Sequence, residues 1–214
     1  MINKRNKWIL FVTSLVILLP LAVGLILWNQ LPEQMPTHWG PDGQVDGYSS
    51  KLFGVLGLPA FMLGIHWLCV VLTAAAPKHN NVSGKALHLV FWICPATSLI
   101  VGFITYGQVL GLQMNVTLIM LLLMGVLFFA MGNYLPKCKQ NYTVGIKLPW
   151  TLNDEANWDS THRFAGKLWV VGGIVILATA FLQNIWVFLG IVMVLSIVPM
   201  IYSYLYYRKH TSEE

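Results

Sequence analysis

Six stretches of this sequence contain no Asp, Glu, Lys or Arg, and each is strongly apolar: Trp8–Trp28, Phe53–Ala76, Ala86–Leu110, Val116–Tyr134, Leu168–Phe181 and Ile185–Tyr206. A helix rising ~1.5 Å per residue needs about 20 apolar residues to cross the ~30 Å hydrocarbon core of a bilayer. Five stretches meet that length. The fifth is shorter, so its span is expected to begin within the segment before it. A charge at the middle of a membrane helix costs about 2.5–3.5 kcal/mol on the mildest scale, so six charge-free runs separated by all the ionised residues predict six transmembrane helices.

The basic residues set the expected orientation. With the N-terminus in the cytoplasm, Lys4, Arg5, Lys7, Lys78, Lys85, Lys137, Lys139, Lys147, Arg163, Lys167, Arg208 and Lys209 lie inside, and Lys51 alone of the 13 Lys and Arg lies outside. Adding or removing one span destroys this asymmetry. The predicted fold class is therefore an all-α integral membrane protein with both ends cytoplasmic, one extracytoplasmic loop and one amphipathic cytoplasmic segment. Composition agrees, at 57% hydrophobic and 10% charged against about 25% charged in soluble domains. The net charge of +5 is spread through short connections and forms no basic face, which excludes direct nucleic-acid binding. Lys4, Arg5 and Lys7 precede an apolar run too long for a signal core, with no small-residue cleavage pattern after it, so a retained first helix is expected. Cys69, Cys94 and Cys138 have no CxxC spacing and none lies in the outer loop, which predicts neither a zinc site nor a structural disulfide.

Three parts are expected: residues 1–76, a two-helix unit with outer loop 29–52; residues 77–115, a linker and the third span; and residues 116–214, spans four to six with cytoplasmic segment 136–167. Short links at residues 113–115 and 183–184 predict helical hairpins. Pro20, Pro59, Pro95 and Pro199 are expected to kink their spans.

The outer loop holds a turn with a mechanism, Pro41-Asp42-Gly43, because Pro presets φ and Gly accepts positive φ. His38, Trp39, Asp42, Asp46 and Tyr48 are the candidate contact residues for a ligand outside. His38, Asp42 and Asp46 lack the spacing of a calcium loop, which favours acids that solvate a turn over a metal site; no metal and no cofactor are expected. In the inner segment, Pro149 stops a preceding helix, Thr151 is the expected N-cap with Asp154 three residues on, and Trp158, Thr161, His162 and Ala165 share a face. Asp159 and Arg163 have i,i+4 pairing distance. This reads either as a helix held at the headgroups by Trp150 and Trp158 or as a docking surface for a cytosolic protein. Asn141-Tyr142-Thr143 matches a glycosylation pattern on the wrong side of the membrane. His66 and Gln108 are the polar intramembrane candidates, and His88 reads as a neutral imidazole.

The inner segment resembles the SdpI family of bacterial immunity proteins against a sporulation-delaying toxin peptide. The likeness rests on Gly132, Asn133, Lys137, Asn141, Gly145, Ile146, Pro149, Trp150, Thr151, Leu152, Trp158, Thr161, His162, Arg163, Gly166 and Lys167. The outer loop, through Leu31-Pro32, Pro36-Thr37-His38 and Gly43, is similar to an uncharacterised domain often found at the start of such proteins. The family usually has Gly-Ile-Arg-Thr-Pro-Trp where this chain has Gly145-Ile146-Lys147-Leu148-Pro149-Trp150, so the planar fork of Arg is replaced by a point charge. The resemblance implies a multi-pass protein of the bacterial cytoplasmic membrane. It implies a non-enzymatic role with two partners, a secreted toxin peptide outside and a cytosolic helix-turn-helix repressor inside; Asn133, Lys137, Asn141, Gly145, Lys147, Pro149, Trp150, Thr151, Trp158, Thr161, His162 and Arg163 form the inner motif that meets lipid or such a cytosolic partner. A small peptide or lipid transporter and a membrane enzyme are the alternatives. Charge-free spans without broken repeats argue against the first. His38 and His162, on opposite faces, argue against the second.

Overall fold

The computed structural model describes residues 4–78, Val82 and residues 84–211. Among the basic residues counted above, the side chains of Lys4, Arg5 and Lys85 lie outside the described set. The elements are α1 (Lys4–Ile17), α2 (Leu19–Ile26), β1 (Gln34–Trp39), β2 (Val45–Ser50), α3 (Leu58–Ala75), α4 (Gly84–Val109), α5 (Val116–Tyr134), α6 (Pro149–Asn153), α7 (Glu155–Thr179) and α8 (Ile185–Thr211). Among the described residues six helical stretches are long and apolar enough to cross a membrane: Asn6–Ile26, Phe53–Ala75, Leu87–Val109, Val116–Lys137, Glu155–Leu182 and Ile185–His210. The protein is a mostly helical, six-span membrane protein. Its contacts divide it into two compact units, Met1–Ala74 with His88–Thr117, and Ala75–Leu87 with Leu118–Glu214.

In the first unit the expected outer loop folds as a two-stranded antiparallel hairpin, a small sheet within the class expected as all-α. Its register pairs Met35 with Ser49, Pro36 with Tyr48, His38 with Gly47 and Trp39 with Val45, with shifts on either side of His38. Pro36 donates no backbone hydrogen bond, so a shift beside it costs the ladder little. The turn follows the expected chemistry. Gly40 N–H donates to the Gln44 carbonyl at 2.8 Å, Gly43 N–H donates to the Gly40 carbonyl at 2.9 Å, and Gly43 has φ +76°. Met35 turns inward and packs with Leu31, Val55 and Tyr106, tying the hairpin to α4 and to the π-helical turn Phe53–Gly57 that leads into α3.

The prolines act unequally. The first span breaks at Leu18, between α1 and α2, just before Pro20 removes a backbone donor. Pro59 follows the π-helical turn, whereas α4 and α8 run uninterrupted through Pro95 and Pro199.

In the second unit α5 and α7 approach through glycines seven residues apart on each helix. A Cβ on Gly132 would lie 2.6 Å from the Val170 nitrogen and 2.8 Å from the Gly166 carbonyl oxygen, and one on Gly173 would lie 2.5 Å from the Phe129 nitrogen. Gly125 and Gly166 are equally closed, against Leu177 and Pro136. Such small-residue seams let membrane helices meet backbone to backbone, where dispersion substitutes for the missing hydrophobic drive. Helices α7 and α8 form the expected hairpin, turned through Gln183 in the left-handed region at φ +49°, and Trp169 Nε1–H donates to the Leu195 carbonyl at 2.8 Å. Phe128, Ile176 and Leu195 form the core of this unit.

The segment before the fifth span differs from expectation in its helix start. Helix α7 runs unbroken from Glu155, so the amphipathic helix and the fifth span are one element. Its N-cap is Asp154, whose carboxylate accepts from Ala156 N–H at 2.8 Å and Asn157 N–H at 3.2 Å. Thr151 lies in the short α6 instead. The continuity has a local cause: Gly166 does not interrupt the helix because its missing side chain is required at the α5 crossing.

Candidate functional site

The densest polar constellation is residues 138–163 wrapped over the start of α7 and the end of α8, all within the second unit. At its centre His162 is almost fully buried. Its Nδ1 lies 2.7 Å from the Trp158 carbonyl, which can only accept, and its Nε2 accepts Ile146 N–H at 2.9 Å. These two bonds fix the neutral imidazole with the proton on Nδ1; protonating Nε2 breaks the bond to Ile146. The ring stacks on Trp158 at 4.0 Å, and Trp158 Nε1–H donates to the Cys138 carbonyl at 2.7 Å. Gly145 has φ +130°, and a Cβ there would overlap His162 Nε2 and sit 2.9 Å from the Trp158 ring.

Asn141 organises the loop ahead of this centre. Its Oδ1 accepts the N–H groups of Thr143 and Val144, each at 2.8 Å, and its Nδ2 donates to the carbonyls of Lys139 and Val144. Thr151 Oγ1 accepts Leu148 N–H at 2.9 Å and faces the Ile146 carbonyl at 2.9 Å. Gln140 Nε2 donates to the Thr151 carbonyl at 3.0 Å, and Lys78 Nζ donates to Gln140 Oε1 at 2.6 Å. From α7, Asn157 Nδ2 donates to the Ser203 carbonyl at 3.0 Å while its Oδ1 accepts from Thr161. Trp150 Nε1–H donates to Ser203 Oγ at 3.0 Å, and its ring packs on Tyr204 and Tyr207. Burial pushes the Cys138 thiol up to about 11, so it is an inert sulfhydryl at neutral pH.

The predicted residues thus divide by role. Asn141, Gly145, Thr151, Trp158, Thr161 and His162 converge into one hydrogen-bonded scaffold. Asn133, Lys137, Lys147, Pro149 and Arg163 are exposed around it, and Trp150 is half-buried. Asn133 Nδ2 bonds back to the Phe129 carbonyl, Lys147 Nζ donates to the Thr143 carbonyl at 3.2 Å, and Lys137 lies over the Tyr134 ring. Among the described residues Asp159 and Arg163 form no ion pair. Gln140, Asn157 and Ser203 were not singled out from sequence. Ser203, a polar residue within the last apolar run, was the available signal.

On the hairpin, His38 Nδ1 and Asp46 Oδ1 approach to 2.5 Å with both side chains largely exposed, Asp42 Oδ1 accepts Gln44 N–H at 3.1 Å, and Tyr48 is exposed. Trp39 is committed elsewhere: its Nε1–H donates to Gln108 Oε1 at 2.7 Å, so Gln108 fastens the hairpin to α4 and not one span to another. Lys51, 8% exposed, pairs with Glu33 at 2.8 Å above the Trp28 ring. His66 is fully buried; its Nε2 lies 2.9 Å from Thr13 Oγ1, and its Nδ1 has no partner among the described residues. Among the described residues no group of three or more His, Cys, Asp or Glu converges as a metal site.

The folded segment, α7 and most of α8 coincide with a family boundary. Residues 137–203 match the SdpI/YfhL protein family. The matched region is a unit similar to that family. That unit begins at the exit of α5 and ends at Ser203, which bonds both Trp150 and Asn157. A second model, a domain of unknown function, DUF1648, matches residues 15–63, from the break in the first span through the hairpin into α3. Beyond that matched region, the chain is 26% identical over 213 residues to the Immunity protein SdpI of Bacillus subtilis strain 168, covering 96% of this chain and 97% of that protein. No solved structure matches the chain. Six apolar spans and this relationship make it a multi-pass bacterial membrane protein.

Proposed function

We propose that this chain is a membrane immunity protein that protects its bacterial host from a secreted toxin peptide. The observation that carries the reading is the end-to-end relationship to an immunity protein, 96% of one chain against 97% of the other, which spans both the hairpin and the region matched to the SdpI/YfhL family. The role is non-enzymatic.

The finer reading assigns each partner a face. The toxin meets the hairpin and the adjacent span ends through His38, Asp42, Asp46 and Tyr48, the candidates whose side chains are not committed to α4. Trp39 holds the hairpin in place for that contact. A cytosolic repressor meets the exposed rim of the folded segment, where Lys137, Lys147 and Arg163 surround a rigid centre. The rigid centre supports this reading, because side chains fixed by backbone hydrogen bonds lose little entropy on binding. Signalling between the partners requires the toxin to favour one of two states of the chain.

Survival of cells challenged with a sporulation-delaying-type peptide tests the proposal. Tyr48→Ala is expected to lower protection at unchanged membrane expression. Full protection by that variant and by Asp46→Asn removes the hairpin from the account.

A further inference from the structure

The first unit contains a cavity of about 200 Å³ at the depth of its spans. Pro20 of α2, Met62 of α3, and Val101, Gly102, Thr105 and Tyr106 of α4 line it. Three features set it apart from a packing defect. Its walls are almost wholly apolar. It is partly open, with Phe61 at its edge 61% exposed on the outside of α3. And Thr105, 2% exposed, carries a hydroxyl with no hydrogen-bond partner among the described residues. A buried hydroxyl without a partner costs about 1–3 kcal/mol, and threonine in a helix ordinarily avoids this by bonding a carbonyl one turn back, as Thr13, Thr73 and Thr97 do here.

The backbone is shaped to keep this space. A Cβ on Gly102 would lie 2.7 Å from the Pro20 ring, and one on Gly24 would meet the Tyr106 hydroxyl and Val55. The glycines bring α2 and α4 into contact beside the cavity, and the break before Pro20 and the π-helical turn before Pro59 lie at the α2 and α3 walls. Two of the three walls are thus irregular where they border the same volume.

We infer that this cavity is a binding site for one acyl chain of a membrane phospholipid, with the chain against Met62, Val101 and Pro20 and its ester carbonyl accepting the Thr105 hydroxyl. The medium beside an open cavity at span depth is hydrocarbon, so the occupant of matching chemistry is at hand. Thr105 and Tyr106 lie towards the end of α4 that holds Trp39 through Gln108, so the polar end of the site faces the hairpin and its apolar end the middle of the span. A bound chain would fill the space behind Tyr106, which is in the core beneath the hairpin.

The test uses the full chain in phosphatidylglycerol vesicles doped with a phosphatidylglycerol bearing a diazirine in its acyl chain, followed by illumination, digestion and mass spectrometry. Expected are adducts on segments 58–62 and 98–106 at several times the yield found around the lipid-facing Ile26 and Trp186. Val101→Phe and Met62→Phe, which fill the cavity by different routes, should each cut those adducts at least about fivefold and leave those at Ile26 and Trp186 unchanged. Cavity adducts no stronger than the annular ones, or unchanged in whichever filled variant keeps the wild-type melting temperature, would overturn the inference and leave the space to an apolar side chain of another protein.

Discussion

Gly145 is the most constrained single position in the folded segment. Its φ of +130° lies in a region that costs a side-chain-bearing residue about 1–3 kcal/mol, and a Cβ there would strike His162 and Trp158. Gly145→Ala should therefore destabilise the second unit by more than that strain alone, read as a lowered melting temperature in detergent. His162→Ala strands the Ile146 N–H and should cost about 1–3 kcal/mol. A wild-type melting temperature in both variants contradicts the hydrogen-bonded centre described above. Cys138 offers a pH test. With its pKa near 11, the thiolate fraction at pH 8 is on the order of one in a thousand. Alkylation by iodoacetamide should be very slow at pH 8 and should keep rising about tenfold per pH unit towards pH 11; a plateau near pH 9 is the contrary result.

At the scale of elements, the glycine seam between α5 and α7 makes a contrast within one protein. Gly132→Ala and Gly166→Ala force the two backbones apart and should lower the melting temperature sharply. Gly190, with open space where its Cβ would stand, should accept Ala with a gain of up to ~1 kcal/mol from helix propensity. Equal effects at all three positions argue against backbone-to-backbone packing. The same elements show what the sequence makes legible. Charge-free runs gave the six spans because the cost of burying charge in hydrocarbon is large and local. The hairpin was hidden because Pro36 and Gly47 interrupt the pattern of a strand, and its stability comes from Met35 reaching Val55 and Tyr106, contacts distant in sequence. Thr151 looked like a cap because it precedes Asp154, yet Asp154 is itself the better acceptor and takes the N-cap. The motif residues were legible as a group, but their division into buried scaffold and exposed rim required the fold: nothing in the spacing of Trp158 and Arg163 says that one holds the Cys138 carbonyl and the other faces outward.

For the whole molecule, two family-matched regions, residues 15–63 and 137–203, lie in different compact units. The positive-inside rule predicts that the hairpin in the first lies outside the membrane and the loop ahead of α7 in the second lies inside. A cysteine placed at Tyr48 should react with a membrane-impermeant maleimide in intact cells, and one placed at Tyr142 only after lysis, both positions being exposed; the reverse pattern inverts the topology. The central claim is protection itself. The most direct measurement is survival of a susceptible bacterium, challenged with a sporulation-delaying-type peptide, while it expresses this chain, its Trp150→Ala variant or an empty vector. The account predicts survival with the wild-type chain and its loss in the variant, whose indole no longer joins the folded segment to Ser203 and Tyr204 of α8. Killing of cells that carry the wild-type chain in their membranes at confirmed levels would contradict it.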